Sequence, residues 1–226
     1  MLTNLKRIIV VVGHYGSGKT NLAVNLAMDF KAAGKRVVLA DLDIVNPYFR
    51  SADFAELMQE NDIEMIIPTF ARSNLDIPSL TAHLDAAIDT DKQLIIDVGG
   101  DDAGAAALGR YSAAIKEAGG CDMLYVVNGY RYLTRTAQEA SDILDEIQQV
   151  SRLSVTGVVN NSNLSDITTA QDVAETIPFA QETADKYQVP LLFTAVADCI
   201  AGETKSLLSG RKVYPVKIYV KKLWEA

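Results

Sequence analysis

The sequence predicts an α/β protein with a single three-layer, doubly wound and mostly parallel sheet. Short apolar runs alternate with segments of helical periodicity, and the runs are nearly continuous, as in strands that are buried on both faces. A glycine-rich loop at residues 13–20 joins the first apolar run to the first helical segment. In folds of this class, ligands bind beyond the carboxyl ends of the strands.

The predicted elements follow one another in a regular order. Strands are expected at 7–12, 36–41, 64–67, 93–97, 122–127, 154–160 and 190–194. Helices are expected near 19–33, 51–60, 79–89, 103–118, 133–150 and 169–187. Leu22, Leu26 and Phe30 share one face of the first helix, and Gly34 is placed to end it.

Composition limits the function classes. The 226 residues are 49% hydrophobic, and we expect one domain over 1–226. The net charge of −8 argues against general nucleic-acid binding. The chain has no signal-peptide pattern and no apolar run of about 18 residues, and its two cysteines lack zinc-site spacing. A cytoplasmic protein is therefore expected.

The glycine-rich loop, residues 13–20, reads GHYGSGKT and fits the phosphate-binding pattern G-x-x-x-x-G-K-[ST]. We call it the phosphate loop. Its glycines let backbone N–H groups approach the phosphates, and the N-terminus of the following helix favours anions. Lys19 supplies positive charge to the phosphates, and Thr20 offers a hydroxyl to Mg²⁺. The predicted nucleotide ligands here are Gly13, His14, Tyr15, Gly16, Ser17, Gly18, Lys19, Thr20 and Asn21.

Acidic residues follow two of the predicted strands. Asp41 and Asp43 end the second strand, and the loop over 44–51 that follows is placed to sense a γ-phosphate. The alternative is that these two acids only cap the following turn. Asp97 ends the fourth strand, where a carboxylate reaches Mg²⁺ directly or through water.

Two further features complete the predicted site. Gly100 forms a D-x-x-G step with Asp97, and its N–H is expected at the γ-phosphate, while Asp101 and Asp102 are expected to cap the next helix. The sixth strand ends in asparagines. Asn160 and Asn161 carry the donor and acceptor that match an adenine edge, unless they are ordinary loop asparagines. The N-K-x-D sequence typical of GTP-binding proteins is missing there, which favours ATP.

These segments together resemble the deviant Walker A ATPases. That family includes septum-site and chromosome-partitioning ATPases, the nitrogenase iron protein and cobyrinic-acid-synthase-like nucleotide-binding domains. Residues 7–46 carry most of the likeness, which extends more weakly through Asp97-Val98-Gly99-Gly100 and Val158-Val159-Asn160.

The resemblance implies a nucleotide-dependent homodimer with Mg-ATP at the subunit interface. Lys19 and Asp43 would be the catalytic residues, with Asp43 positioning the attacking water. Thr20, Asp43 and Asp97 would hold Mg²⁺, and Asn160 or Asn161 would contact adenine. The cluster-binding branch has paired cysteines after the segment that matches Asp97, and this chain does not, so no iron–sulfur cluster is expected.

The phosphate loop departs from the family pattern at two positions. His14 stands where the family has a signature lysine, and Tyr15 where it usually has glycine. A neutral histidine is the weaker electrostatic partner. His14 itself, an arginine such as Arg50 or Arg110, or no group at all would then take the place of the lysine.

Residues 211–224 read RKVYPVKIYVKKLW and include five basic residues. The basic C-terminal segment, 211–226, is expected to be part of the same domain. Tyr-Pro and the β-branched residues favour an edge strand over the alternative of an amphipathic helix that binds a membrane or partner.

Three functions fit the sequence. The first is a slow Mg-dependent ATPase that acts as a nucleotide switch for a protein partner. The second is an ATP-dependent small-molecule kinase or ligase on the same scaffold, although no separate substrate domain is evident. The third is a nucleotide-binding module without hydrolysis, against which Lys19 and Asp43 argue.

Overall fold

The computed structural model describes residues 4–43, 51–67, 77–100 and 102–219. The strands are β1 Ile8–Val12, β2 Val37–Leu42, β3 Glu64–Ile66, β4 Gln93–Val98, β5 Asp122–Val127, β6 Gly157–Asn160, β7 Leu191–Ala197 and β8 Val213–Val216. The α-helices are α1 Lys19–Ala32, α2 Ser51–Glu60, α3 Ile77–Ile88, α4 Asp102–Glu117, α5 Ala137–Ser151, α6 Ala170–Glu175, α7 Ile177–Lys186 and α8 Ala201–Leu207.

The strands form one sheet in the order β3-β2-β4-β1-β5-β6-β7-β8, and neighbouring strands pair in parallel. The predicted α/β, doubly wound fold is thereby confirmed. β1 lies between β4 and β5, where the direction of winding reverses. This reversal is the place where a doubly wound sheet opens a crevice for ligands, and the phosphate loop leaves β1 there.

Alternate residues of the buried strands face two hydrophobic layers. Ile8, Val10 and Val12 pack with α3, α4, α5 and α7 on one side of the sheet. Ile9 and Val11 pack with α1 and α2 on the other. The three-layer architecture therefore follows from strands whose central residues are apolar on both faces.

Two helix predictions need correction. The helix expected over 169–187 is divided into α6 and α7 at Thr176, because Pro178 fits the first turn of a new helix but not a helix interior. The helix expected at 133–150 begins only at Ala137. Thr136 caps it by accepting a hydrogen bond from the Glu139 N–H, and the Glu139 side chain accepts one in return.

The C-terminal part of the chain contains one expected and one unexpected element. β8 pairs with β7 within the segment for which an edge strand was predicted, and residues 220–226 lie outside the described part. The short helix α8 was not predicted. Among the helices that the structure describes, none combines the length and apolarity needed to cross a membrane.

Candidate functional site

Close packing fixes the phosphate loop to its neighbours. A Cβ atom at Gly13 would lie 2.4 Å from the carbonyl oxygen of Val126 on β5. Gly18 has a φ of 88°, and a Cβ there would lie 2.2 Å from the amide nitrogen of Asn161. Side chains at these two positions would push the loop away from the sheet, which explains why glycine occupies both.

Lys19 and Thr20 begin helix α1 and are both buried. The Nζ of Lys19 bends back across the loop and donates to the carbonyl oxygen of His14, at 3.1 Å. The N–H of Ser17 closes the same turn on that oxygen at 3.2 Å. The loop thus encloses a buried ammonium group at a helix N-terminus, which is an arrangement suited to phosphate.

Thr20 and Asp97 form the centre of the predicted metal site. The Thr20 hydroxyl donates to Oδ2 of Asp97 at 2.6 Å, and both side chains are buried. No group of three or more His, Cys, Asp or Glu side chains in the described ranges is arranged to hold a metal. A hydroxyl with a nearby carboxylate fits Mg²⁺, which takes few protein ligands and keeps waters and phosphate oxygens.

The acids at the end of β2 lie beside this pair. Asp41 is the register partner of Asp97, and its Oδ1 accepts a hydrogen bond from the Asp43 N–H at 2.8 Å. Asp41 and Asp43 are both buried. The loop after Asp43, residues 44–50 with the candidate Arg50, lies outside the described residues.

Gly100 brings the loop after β4 against the phosphate loop. A Cβ there would lie 2.6 Å from the backbone nitrogen of Tyr15 and 3.0 Å from Nζ of Lys19. This contact places the D-x-x-G step next to the lysine. Asp101 is outside the described residues, and α4 begins at Asp102.

The predicted base-contacting asparagines differ in their surroundings. Asn160 is fully buried, and its side chain bonds to the hydroxyls of Thr176 and Ser162. Asn161 donates its amide hydrogen to the carbonyl oxygen of Ser17 at 2.7 Å. Asn161 therefore touches the phosphate loop directly, whereas Asn160 organises the turn that presents it. The adenine contact itself stays a prediction.

Asn21 directs its side chain to the C-terminal part of the chain. Its amide group donates to the carbonyl oxygen of Lys217 at 3.0 Å and accepts from the N–H of Tyr219 at 2.8 Å. Its backbone N–H belongs to the first turn of α1, which faces the loop. Because the side-chain amide of Asn21 is bonded to Lys217 and Tyr219, we expect its backbone N–H to make the predicted nucleotide contact.

Of the groups considered for the place of the signature lysine, the structure describes His14 and Arg110, whereas Arg50 lies outside the described residues. Burial, with a smaller effect of the Lys19 charge, lowers the pKa of His14 and so favours the neutral imidazole. Tyr15 is 60% exposed, and Arg110 is an exposed residue of α4. Arg131, which the sequence analysis missed, donates from Nε to the carbonyl oxygen of Gly16 at 3.0 Å. The sequence signal that could have indicated Arg131 is its position just after β5, which lies next to β1, the strand that leads into the phosphate loop.

Comparison with known families matches residues 8–187 to the CbiA family, described as the CobQ/CobB/MinD/ParA nucleotide binding domain. The matched segment includes the phosphate loop, Asp43, Asp97 and the asparagines after β6. Among curated proteins, no match was found.

Solved structures of the signal recognition particle receptor FtsY are similar in fold. The one from Elizabethkingia anophelis in complex with GDP is 23% identical, with 84% of this chain and 57% of that chain covered and a TM-score of 0.54. FtsY from Thermotoga maritima is 22% identical, with 84% and 61% covered and a TM-score of 0.54. FtsY from Mycoplasma mycoides is 18% identical, with 86% and 61% covered and a TM-score of 0.58. This chain therefore spans about six tenths of their length.

Proposed function

Since the chain belongs to the CobQ/CobB/MinD/ParA nucleotide-binding domain family, we propose that it binds Mg-ATP and hydrolyses it slowly, as a nucleotide switch for a protein partner. The observation that carries the proposal is the buried Thr20–Asp97 pair beside the buried Lys19. A hydroxyl, a carboxylate and an ammonium group at a helix N-terminus are the groups that a magnesium–triphosphate requires.

The choice of ATP over GTP is part of the proposal. The fold does not select the base, since an FtsY structure of similar fold is a complex with GDP. Support for adenine comes from the asparagines after β6 and from the missing N-K-x-D sequence. Asn161 is the better placed of the two, because it already touches the phosphate loop at Ser17.

The proposed chemistry assigns separate roles to the chain's own residues. Lys19 neutralises charge on the β- and γ-phosphates, Thr20 and Asp97 orient the metal, and Asp43 positions water for in-line attack. Magnesium, when bound, screens the charge of the phosphates. Asp43 is suited to its role because it follows β2 immediately and its backbone is fixed by Asp41.

Nucleotide binding is tested with a fluorescent ATP analogue and Mg²⁺. We expect Lys19→Ala to weaken binding at least about tenfold, since it removes a charged donor to phosphate. The affinity of Asp97→Asn for the ATP analogue should depend little on Mg²⁺. Lys205→Ala, an exposed lysine on α8, is the control. Equal affinity of Lys19→Ala and Lys205→Ala would refute the assignment, and competition by GTP as strong as by ATP would refute the choice of base.

Hydrolysis and switching need a second measurement. Asp43→Ala should retain ATP and lose phosphate release, because it keeps the phosphate loop but not the group that positions water. Gel filtration of this variant with Mg-ATP then tests the proposed homodimer. If the variant is a monomer under these conditions, the proposal of ATP binding stands, but the proposed nucleotide-dependent homodimer is refuted.

A further inference from the structure

The geometry points to Arg131 as a positioning residue that supplies, from the same chain, the second positive charge of the phosphate loop. The inference rests on the proposed function and names the residue in place of the family's signature lysine. The pKa of His14, which occupies the lysine position, is lowered by burial and by the Lys19 charge, which favours the neutral imidazole. An arginine stays charged at every pH at which the protein is folded.

Arg131 lies flat against the loop. Its Nε donates to the Gly16 carbonyl oxygen at 3.0 Å, and a Cβ at Gly16 would lie 3.5 Å from Nε and 3.6 Å from Cζ. A Cβ would meet the guanidinium only at ordinary van der Waals distance, and it is the φ of 74° that favours glycine at this position. Because the guanidinium uses Nε for this bond, the donors on its two terminal nitrogens are not needed for the contact with Gly16.

The segment that carries Arg131 is held by a network around Asn128, which is fully buried. The Asn128 side-chain oxygen accepts from the N–H groups of Tyr130 and Asn163 at 3.1 and 3.2 Å. Its backbone carbonyl accepts from the Arg131 N–H at 3.1 Å and from the Thr134 hydroxyl at 2.9 Å. The backbone of Arg131 is thus fixed before any ligand binds, which lowers the entropic cost of using its side chain.

The position of the charge has a specific consequence. Arg131 acts on the loop that wraps the phosphates, so its contribution depends on the number of phosphates and not on the base. Because both groups belong to one chain, this contribution needs no partner subunit. The guanidinium therefore favours ATP over AMP through charge, and it holds the Gly16 peptide in place through its hydrogen bond.

The test compares Arg131→Gln, which removes the charge, with Arg131→Lys, which keeps it. Competition binding against a fluorescent ATP analogue should show about tenfold weaker binding of ATP by Arg131→Gln, with AMP affinity unchanged. Arg131→Lys should stay within about threefold of the wild type for ATP. The matched control is Arg135→Gln, an exposed arginine of the same connection, which should bind like the wild type.

Three outcomes would overturn the inference. The first is an ATP affinity of Arg131→Gln equal to that of Arg135→Gln. The second is an equal loss of affinity for ATP and AMP, and the third is an equal loss in Arg131→Lys and Arg131→Gln. Either of these last two would mean that the loop is disturbed and that charge has no role. Failure of the proposed function looks different, because the wild type and Lys19→Ala would then bind ATP equally, whatever Arg131 does. Circular dichroism melting of each variant shows that it is folded at the binding temperature.

Discussion

His14 gives the phosphate loop a pH-dependent property that a lysine would not. Its pKa is lowered in the folded protein by burial and by Lys19, so the unfolded chain binds the proton first as the pH falls. The stability that comes from keeping His14 neutral is present above its unfolded pKa of about 6.5 and is lost below it.

We therefore expect the wild type to lose stability relative to His14→Gln between pH 7.5 and pH 5.5, since glutamine does not titrate. Urea unfolding of both proteins at the two pH values measures the difference. All other titratable groups are common to the two proteins, so their contributions cancel in this difference. A wild type that gains stability over His14→Gln on acidification would contradict the assigned direction of the pKa shift.

Individual site residues could be predicted from the sequence where their position depends on strand ends. Thr20 and Asp97 follow from the phosphate-loop pattern and from an acid at the end of a buried strand, and the structure brings them within 2.6 Å. Arg131 could not be found this way. Its contact with Gly16 depends on a turn organised by Asn128, and a turn of this kind has no periodic pattern.

Helix α1 connects the phosphate loop to the C-terminal part of the chain. The side chains of Asn21, Asn25 and Asp29, spaced one helical turn apart, each form a hydrogen bond with this C-terminal segment. Asn25 donates to the Lys217 carbonyl oxygen and accepts from the Lys217 N–H, both at 2.8 Å. Asp29 accepts from the Tyr214 hydroxyl at 2.7 Å, and burial, with Asp29 next, raises the pKa of that phenol.

Asn25→Ala tests how much this contact contributes to stability. Asn25 is only 7% exposed, and its loss leaves the Lys217 N–H without its side-chain partner and the Lys217 carbonyl oxygen with the Asn21 amide as its remaining side-chain donor. We expect the free energy of unfolding to fall by about 2 kcal/mol, as measured by urea denaturation. Gln171→Ala, an exposed glutamine on α6, should change it by no more than about 0.5 kcal/mol. Equal effects of the two substitutions would mean that the segment is held by apolar contacts alone.

Element boundaries were predictable where local chemistry is strong. Gly34 ends α1 as expected, because its φ of 80° allows Lys35 N–H to bond to Phe30 and Gly34 N–H to Lys31. The break between α6 and α7 was missed because the apolar periodicity continues across Thr176. The short helix α8 was missed because seven residues give too little periodicity to separate a helix from a loop.

The sheet joins two hydrophobic layers into one cooperative unit. Every strand next to the phosphate loop contributes alternate residues to both layers, so the two layers share the same strands. A third hydrophobic cluster lies between β7, β8, α6 and α8. The same two strands also contribute residues to the hydrophobic layer on the α1 side of the sheet. The proposal of one domain over 1–226 follows from this sharing.

One domain predicts one unfolding transition. We expect urea unfolding followed by far-UV circular dichroism, which reports helices in all layers, to coincide with unfolding followed by near-UV circular dichroism of the tyrosines. Tyr125 in the central strand β5 and Tyr214 in the edge strand β8 are both buried, so the near-UV signal samples the centre and one edge of the sheet. Separate midpoints for the two signals would show that unfolding is not a single two-state transition and would contradict the expectation of one cooperative unit. If nucleotide binds as proposed, saturating Mg-ATP should move both midpoints together, because the phosphate loop is anchored to the shared sheet.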